Sequence, residues 1–294
     1  MMRRPGPALS DLSVTEFLTL SRAGFLPRGL VIGASVYNAG TFTGESRGFF
    51  EAISAAFAGQ APNYPTGEAV QLSQAMRDAR ALAIHNMHVR AAEFGADGVV
   101  GVRLNVEHHQ WRGGNQVAKF LALGTAISFD PYHAPAEFRQ SPPLRLANGE
   151  PFTSTLSGQD FVALLRAGYR PVAVATGTCV YQLDVRDAAR YVGYNAEMVS
   201  YTQAFLDARE LAMARLQYDL FREWPAGHPD CPVGTVGMRV SEVTYGGRGS
   251  GRRYQGPPIV EFSALGTAIA PLAPNDPRRA AQRPKPLTVV PLDR

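Results

Sequence analysis

The stretch ARALAIHNMHVRAAEFGADGVVGVRLNVE, Ala79–Glu107, reads as a helix, a turn and a strand in immediate succession. Leu72, Met76, Ala79, Ala83 and Met87 recur every three or four positions, which predicts one buried helical stripe. Gly95 follows the helix, where a left-handed cap is cheapest without a Cβ. Val99, Val100, Val102, Leu104 and Val106 then change to near-alternation, the β-branched pattern of a strand lying against that helix.

Moving outward, the chain repeats itself. LSVTEFLTLSRAGFLPRGLVIGASVY (Leu12–Tyr37) aligns without a gap to LSGQDFVALLRAGYRPVAVATGTCVY (Leu156–Tyr181), at a constant offset of 144. Asp78-Ala-Arg80 matches Asp207-Ala-Arg209 at 129, Gly101 matches Gly237 at 136, and Ala122–Ile127 matches Ala264–Ile269 at 142. The offsets change inside Gly- and Pro-rich segments, where loops tolerate insertion.

Each copy predicts the same order. A short helix (Val14–Arg22; Gln159–Arg166) follows a capping Ser13 or Ser157. A strand (Leu30–Tyr37; Val172–Tyr181), a long helix (Glu68–Phe94; Met198–Glu223) and two closing strands (Gly98–His108 and Ala118–Phe129; Thr235–Tyr245 and Ile259–Ala270) complete the unit. The fold class is α+β, as two tandem β-α-β-β domains each with an N-terminal helix. The expected boundaries are a tail at 1–11, domain one at 12–130, a Pro-rich linker at 131–151, domain two at 152–271 and a flexible tail at 272–294.

GLVIGASVY, GESRGFFEAISAAFAG, the Ala79–Glu107 stretch and LALGTAI resemble the YbjQ family, a small bacterial family whose domains carry a heavy-metal-binding label. The most specific part is the junction R-x-x-A followed by G-A-D-x-V-V-G. The second copy departs there, with Trp224–Pro232 in place of the tight turn, and it lacks the Phe49-Phe50 segment. The resemblance implies a dodecin-subunit-like β-α-β-β fold and closed pentamers of poorly defined role.

Composition sets limits. The chain of 294 residues, 45% hydrophobic and 18% charged, is long enough for two cores. Nearly all the base behind its net charge of +4 is arginine, a bias closer to genome composition than to recognition chemistry, so a nucleic-acid role is not favoured. No apolar run reaches membrane-spanning length, and MMRRPGPALSDLS lacks the apolar core of a secretory signal. Two cysteines, Cys179 and Cys231, fit a reducing compartment, and the expected location is cytoplasmic.

Candidate chemistry is sparse. His85 and His88 share a helix face and could reach one zinc or other divalent transition metal, but the second copy has Ala214 and Gln217 there. His108 and His109 lie at a strand end and match Thr244 and Tyr245. The expectation is therefore no cofactor, with a metal at His85 and His88 as the alternative. No Gly-x-Ser-x-Gly elbow or Cys–His motif occurs, so no catalytic residue and no enzyme is expected. The loop at 246–254, with Arg248, Arg252 and Arg253, joins strands and does not precede a helix as a phosphate cradle requires.

Polar residues common to both copies, Arg22 and Arg166, Tyr37 and Tyr181, Asp78 and Asp207, Arg80 and Arg209, and Thr125 and Thr267, are expected at an interface or ligand site. Phe49, Phe50, Ile53 and Phe57 predict an amphipathic helix serving as a partner surface. With the pentamer that the resemblance implies, the expectation is a non-enzymatic, homopentameric ring scaffold or partner-binding protein. The alternative is a binder of metal or small ligand at subunit boundaries.

Overall fold

The computed structural model describes residues 9–38, 66–110, 116–183, 195–245 and 259–280. Helix α1 (Val14–Arg22) is held by a capping box, in which the Ser13 side chain accepts from the Glu16 N–H and the Glu16 carboxylate accepts from the Ser13 N–H. Strand β1 (Phe25–Asn38) follows, then β2 (Gly67–Glu68), helix α2 (Val70–Glu93), β3 (Gly98–Gln110) and β4 (Gln116–Phe129). The second half runs β5 (Phe152–Thr153), α3 (Gly158–Arg166, capped by Ser157), β6 (Tyr169–Gln182), α4 (Val199–Glu223), β7 (Gly234–Tyr245), β8 (Ile259–Pro271) and α5 (Pro277–Ala280).

These elements make an α+β fold with two four-stranded sheets, ordered β1-β4-β3-β5 and β2-β6-β8-β7. Gly33 faces Ala122 in one, and Gly177 faces Ala264 in the other, so the registers agree under the sequence offsets. Both glycines sit where a long helix crosses the sheet. A Cβ on Gly33 would lie 2.1 Å from the Ala83 carbonyl oxygen, and one on Gly177 would lie 2.2 Å from that of Ala212. Glycine there lets helix backbone rest on strand backbone, and Ala79, Ala83, Ala208 and Ala212 are correspondingly sealed.

Gly95 adopts a φ of +63° one residue past the α2 cap, as its place after the helix predicts. Gly101 and Gly237 take φ of +67° and +63° at the points where β3 and β7 slip register against their neighbours. The bulge inserts one residue and reverses the faces beyond it. Val99 and Val102 therefore both face α2, while Val100 faces the opposite side of the sheet.

Three expectations change. Glu68 does not begin the long helix: Gly67 and Glu68 pair antiparallel with Gln182 and Tyr181 of the other half's sheet. Phe152 and Thr153 return the exchange, pairing in parallel with Gly98 and Val99. Each half thus covers an edge of the other, where an uncovered edge would invite foreign pairing. Nor is 131–151 an extended spacer. Ala134, Phe138 and Leu144 enter the core with Phe25, Ile127, Phe129 and Phe161. Arg145 donates to Asp97 Oδ1 at 2.9 Å in the first half, and two residues on the Ala147 N–H donates to Asp230 Oδ2 at 2.8 Å in the second. The segment is a clasp. Finally, the described start of the expected tail is docked: Leu272, Asp276 and Arg278 are buried, and Arg278 Nη2 donates to the Pro142 carbonyl at 3.0 Å. Hydrophobic periodicity does not reveal such contacts, because irregular chain packs residue by residue.

Candidate functional site

The seam between the halves holds the densest polar chemistry among the described residues. Helix α2 leans on β6 of the second half, and Arg80 projects from it into the seam. Its guanidinium donates to Thr178 Oγ1 at 2.7 Å, pairs with the Glu261 carboxylate and lies 5.2 Å from the Phe120 ring centre. Arg80 and Glu261 are 3% and 2% exposed, so each removes the cost of burying the other. Two turns earlier, the Ser73 hydroxyl accepts from the Val180 N–H at 2.8 Å. Arg77 reaches across to Asp219 at 2.9 Å, and Arg215 donates to Glu68 at 2.8 Å.

These partners set the local protonation states. Burial acts to raise the Glu68 carboxyl, but hydrogen bonds from Arg215 and Ser73 outweigh it and hold the group below its ordinary range. Arg215 is strengthened as a base chiefly by its bond to Glu68. Burial, with the neighbouring Glu68 charge, pushes the Cys179 thiol up to about 12. A thiol so protonated at neutral pH is neither a nucleophile nor a ready metal ligand.

Beside the seam, a cleft of about 370 Å³ opens between α2, α4 and the clasp, over a floor of Val172, Val174 and Leu216. His85 and His88 line it together, with Glu150, Glu223 and Trp224. His88 is already engaged: Nε2 lies 2.7 Å from the Pro151 carbonyl oxygen and Nδ1 lies 3.6 Å from the Glu150 carboxylate. Burial raises the Glu223 carboxyl. Among the described residues, no three of His, Cys, Asp and Glu gather as a metal would require. The histidine pair thus shares a cleft, and His88 serves to hold the clasp.

The other residues singled out by sequence scatter. Arg80 is central to the seam, but its repeat counterpart Arg209 is exposed. Tyr181 donates its hydroxyl to Asp207 at 3.2 Å, and burial together with the Asp207 charge raises its pKa. Asp78 is exposed and accepts from Gln74 at 2.7 Å; Arg22 and Arg166 are exposed; Tyr37 packs against the first half's core. Phe49, Phe50, Ile53 and Phe57 lie outside the described residues, as do the side chains of His108 and His109. Thr178, Glu261 and Arg215 were missed. Their repeat counterparts are Ala34, Lys119 and Asn86, and that divergence was the available signal.

A family model described as "Putative heavy-metal-binding", YbjQ_1, matches residues 29–130. The chain is also similar to "Encapsulin nanocompartment protein Rv1762c" of Mycobacterium tuberculosis (strain ATCC 25618 / H37Rv). The two are 38% identical over 263 residues, covering 88% of this chain and 84% of that protein. This relationship overturns the expectation of a free-standing pentameric ring, since the near full-length relative is named for a nanocompartment. No helix among the described residues is long and apolar enough to cross a membrane. The chain belongs to the family of this encapsulin nanocompartment protein and carries within it a YbjQ-type region.

Proposed function

We propose that this chain is a structural, non-catalytic component of a cytoplasmic protein nanocompartment. In this reading it is built from two YbjQ-like β-α-β-β units, at 12–130 and 152–271, locked together by the 131–151 clasp. The observation that carries the reading is the 38% identity to an encapsulin nanocompartment protein across nearly the whole of both chains. The geometry supports a structural role. Arg80 with Glu261, Arg77 with Asp219 and Arg215 with Glu68 are spent on one another across the seam. A body cross-tied in this way is suited to holding shape within a larger assembly.

Tagging the chain in its native cells and sedimenting the lysate tests the proposal. The chain should travel with megadalton particles and stay with them through salt washes that strip loosely bound protein. Recovery wholly in the slow-sedimenting soluble fraction, under conditions that leave large particles intact, would overturn it.

A further inference from the structure

Two short helices hold matching places in the two halves, yet their faces meet different fates. In α3, Gly158, Phe161, Val162 and Leu165 form a stripe at i, i+3, i+4 and i+7, and all four are buried. Phe161 anchors it, edge-on to Phe25 with ring centres 5.0 Å apart and stacked on Phe152 at 5.4 Å. Phe25 opens β1, so a helix of the second half is seated on the first half's sheet.

Helix α1 occupies the same position in the first half. The Asp11 N–H donates to Thr125 Oγ1 at 3.1 Å, as the Thr155 N–H donates to Thr267 Oγ1 at 2.8 Å. Its stripe is Val14, Phe17, Leu18 and Ser21, and the three apolar members are 76%, 42% and 45% exposed. The matching receptor is also open. A shift of 144 residues carries Phe25 to Tyr169, which opens β6 and is 38% exposed. Among the described residues, α1 therefore presents a plug without its socket, and the start of β6 a socket without its plug.

We propose that a second copy of this chain joins the two. Helix α1 of one copy seats Phe17 against Tyr169 of the next, repeating between chains the contact that Phe161 makes with Phe25 within one. The same pairing brings Ala196–Glu197, the counterpart of β2, to the outer edge of β1 in the neighbouring copy, where Tyr37 and Asn38 match Tyr181 and Gln182. The contact is head-to-tail, so the two partners use different surfaces. It is weaker than its intrachain counterpart, because Arg209 and Lys119 stand where Arg80 and Glu261 form their buried pair. Association therefore depends on concentration. It goes beyond the nanocompartment reading and does not rely on it.

Sedimentation velocity across a concentration series tests it with the full chain. Wild type should shift progressively above the 31.7 kDa of one chain. Phe17→Asp and Tyr169→Asp should each remain monomeric while keeping wild-type circular dichroism. Mixed in equal amounts, they should form a dimer of about 63 kDa and nothing larger, since each variant keeps one intact side. Leu18→Glu replaces Phe17→Asp if the latter misfolds. Wild type that stays monomeric at every concentration, as it would if its own remaining residues cover α1, overturns the proposal. So does a mixture that stays monomeric, or a folded variant that assembles as wild type does.

Discussion

Replacing Arg80 by methionine takes a guanidinium out of the seam while keeping most of its aliphatic stem. The guanidinium bonds Thr178 at 2.7 Å, pairs with Glu261 and lies 5.2 Å from the Phe120 ring centre. An intact buried pair adds little net stability, because desolvation offsets attraction. Breaking it from one side is different: Glu261, 2% exposed, would keep its charge without the guanidinium that balances it. The expected loss is about 3–5 kcal/mol. At roughly 2 °C per kcal/mol for a chain of this size, the melting midpoint should fall by about 6–10 °C. Arg80→Met combined with Glu261→Leu removes both charges and should return to within about 1 kcal/mol of wild type. Arg209→Met, at the exposed counterpart, should change stability by less than about 0.5 kcal/mol. Urea unfolding of the four proteins measures all of this. A single-variant loss under about 1 kcal/mol, or a double variant less stable than the single, would refute the reasoning.

Two further outcomes follow from the same ties. Because the folded Glu68 carboxyl titrates below its ordinary 4.5, its contribution is fully present above that value and is lost as pH falls through the lowered one. Wild type should accordingly melt higher than Glu68→Gln at about pH 6, and the gap should close towards about pH 3; a gap that widens in acid would contradict this. Truncation after Pro274 removes the buried Asp276 and Arg278, including the bond to Pro142, so calorimetry should record a midpoint several degrees lower. An unchanged midpoint would show that docking to contribute nothing.

The regular elements were legible because a long amphipathic helix and a β-branched strand print their periods on the chain. The internal repeat supplied a second reading of each, so α1 to α4, the six long strands and the Gly95 cap lie close to where the pattern puts them. The exchanged strands β2 and β5 have two residues each, too few to show any period. Phe138 and Leu144 looked like linker residues because the chain around them is irregular, yet packing needs apolar area and not regularity. Arg80, a polar residue present in both copies, does sit in the seam, but its partner was not legible, because a contact between two unlike halves selects for difference: Glu261 stands opposite Arg80, where the other copy has Lys119. His85 and His88 line one cleft, but a ligand set needs a third residue from elsewhere in the fold. The cellular role was not legible at all; the reading proposed for it rests on the relative.

Electron cryomicroscopy of compartments purified through the tagged chain tests that role most directly. The account predicts reproducible density for this cross-tied pair of sheets, at a fixed place in each particle and with side chains ordered along the Arg80–Glu261 seam. Particles of the same preparation that refine to completion with no such density would contradict it.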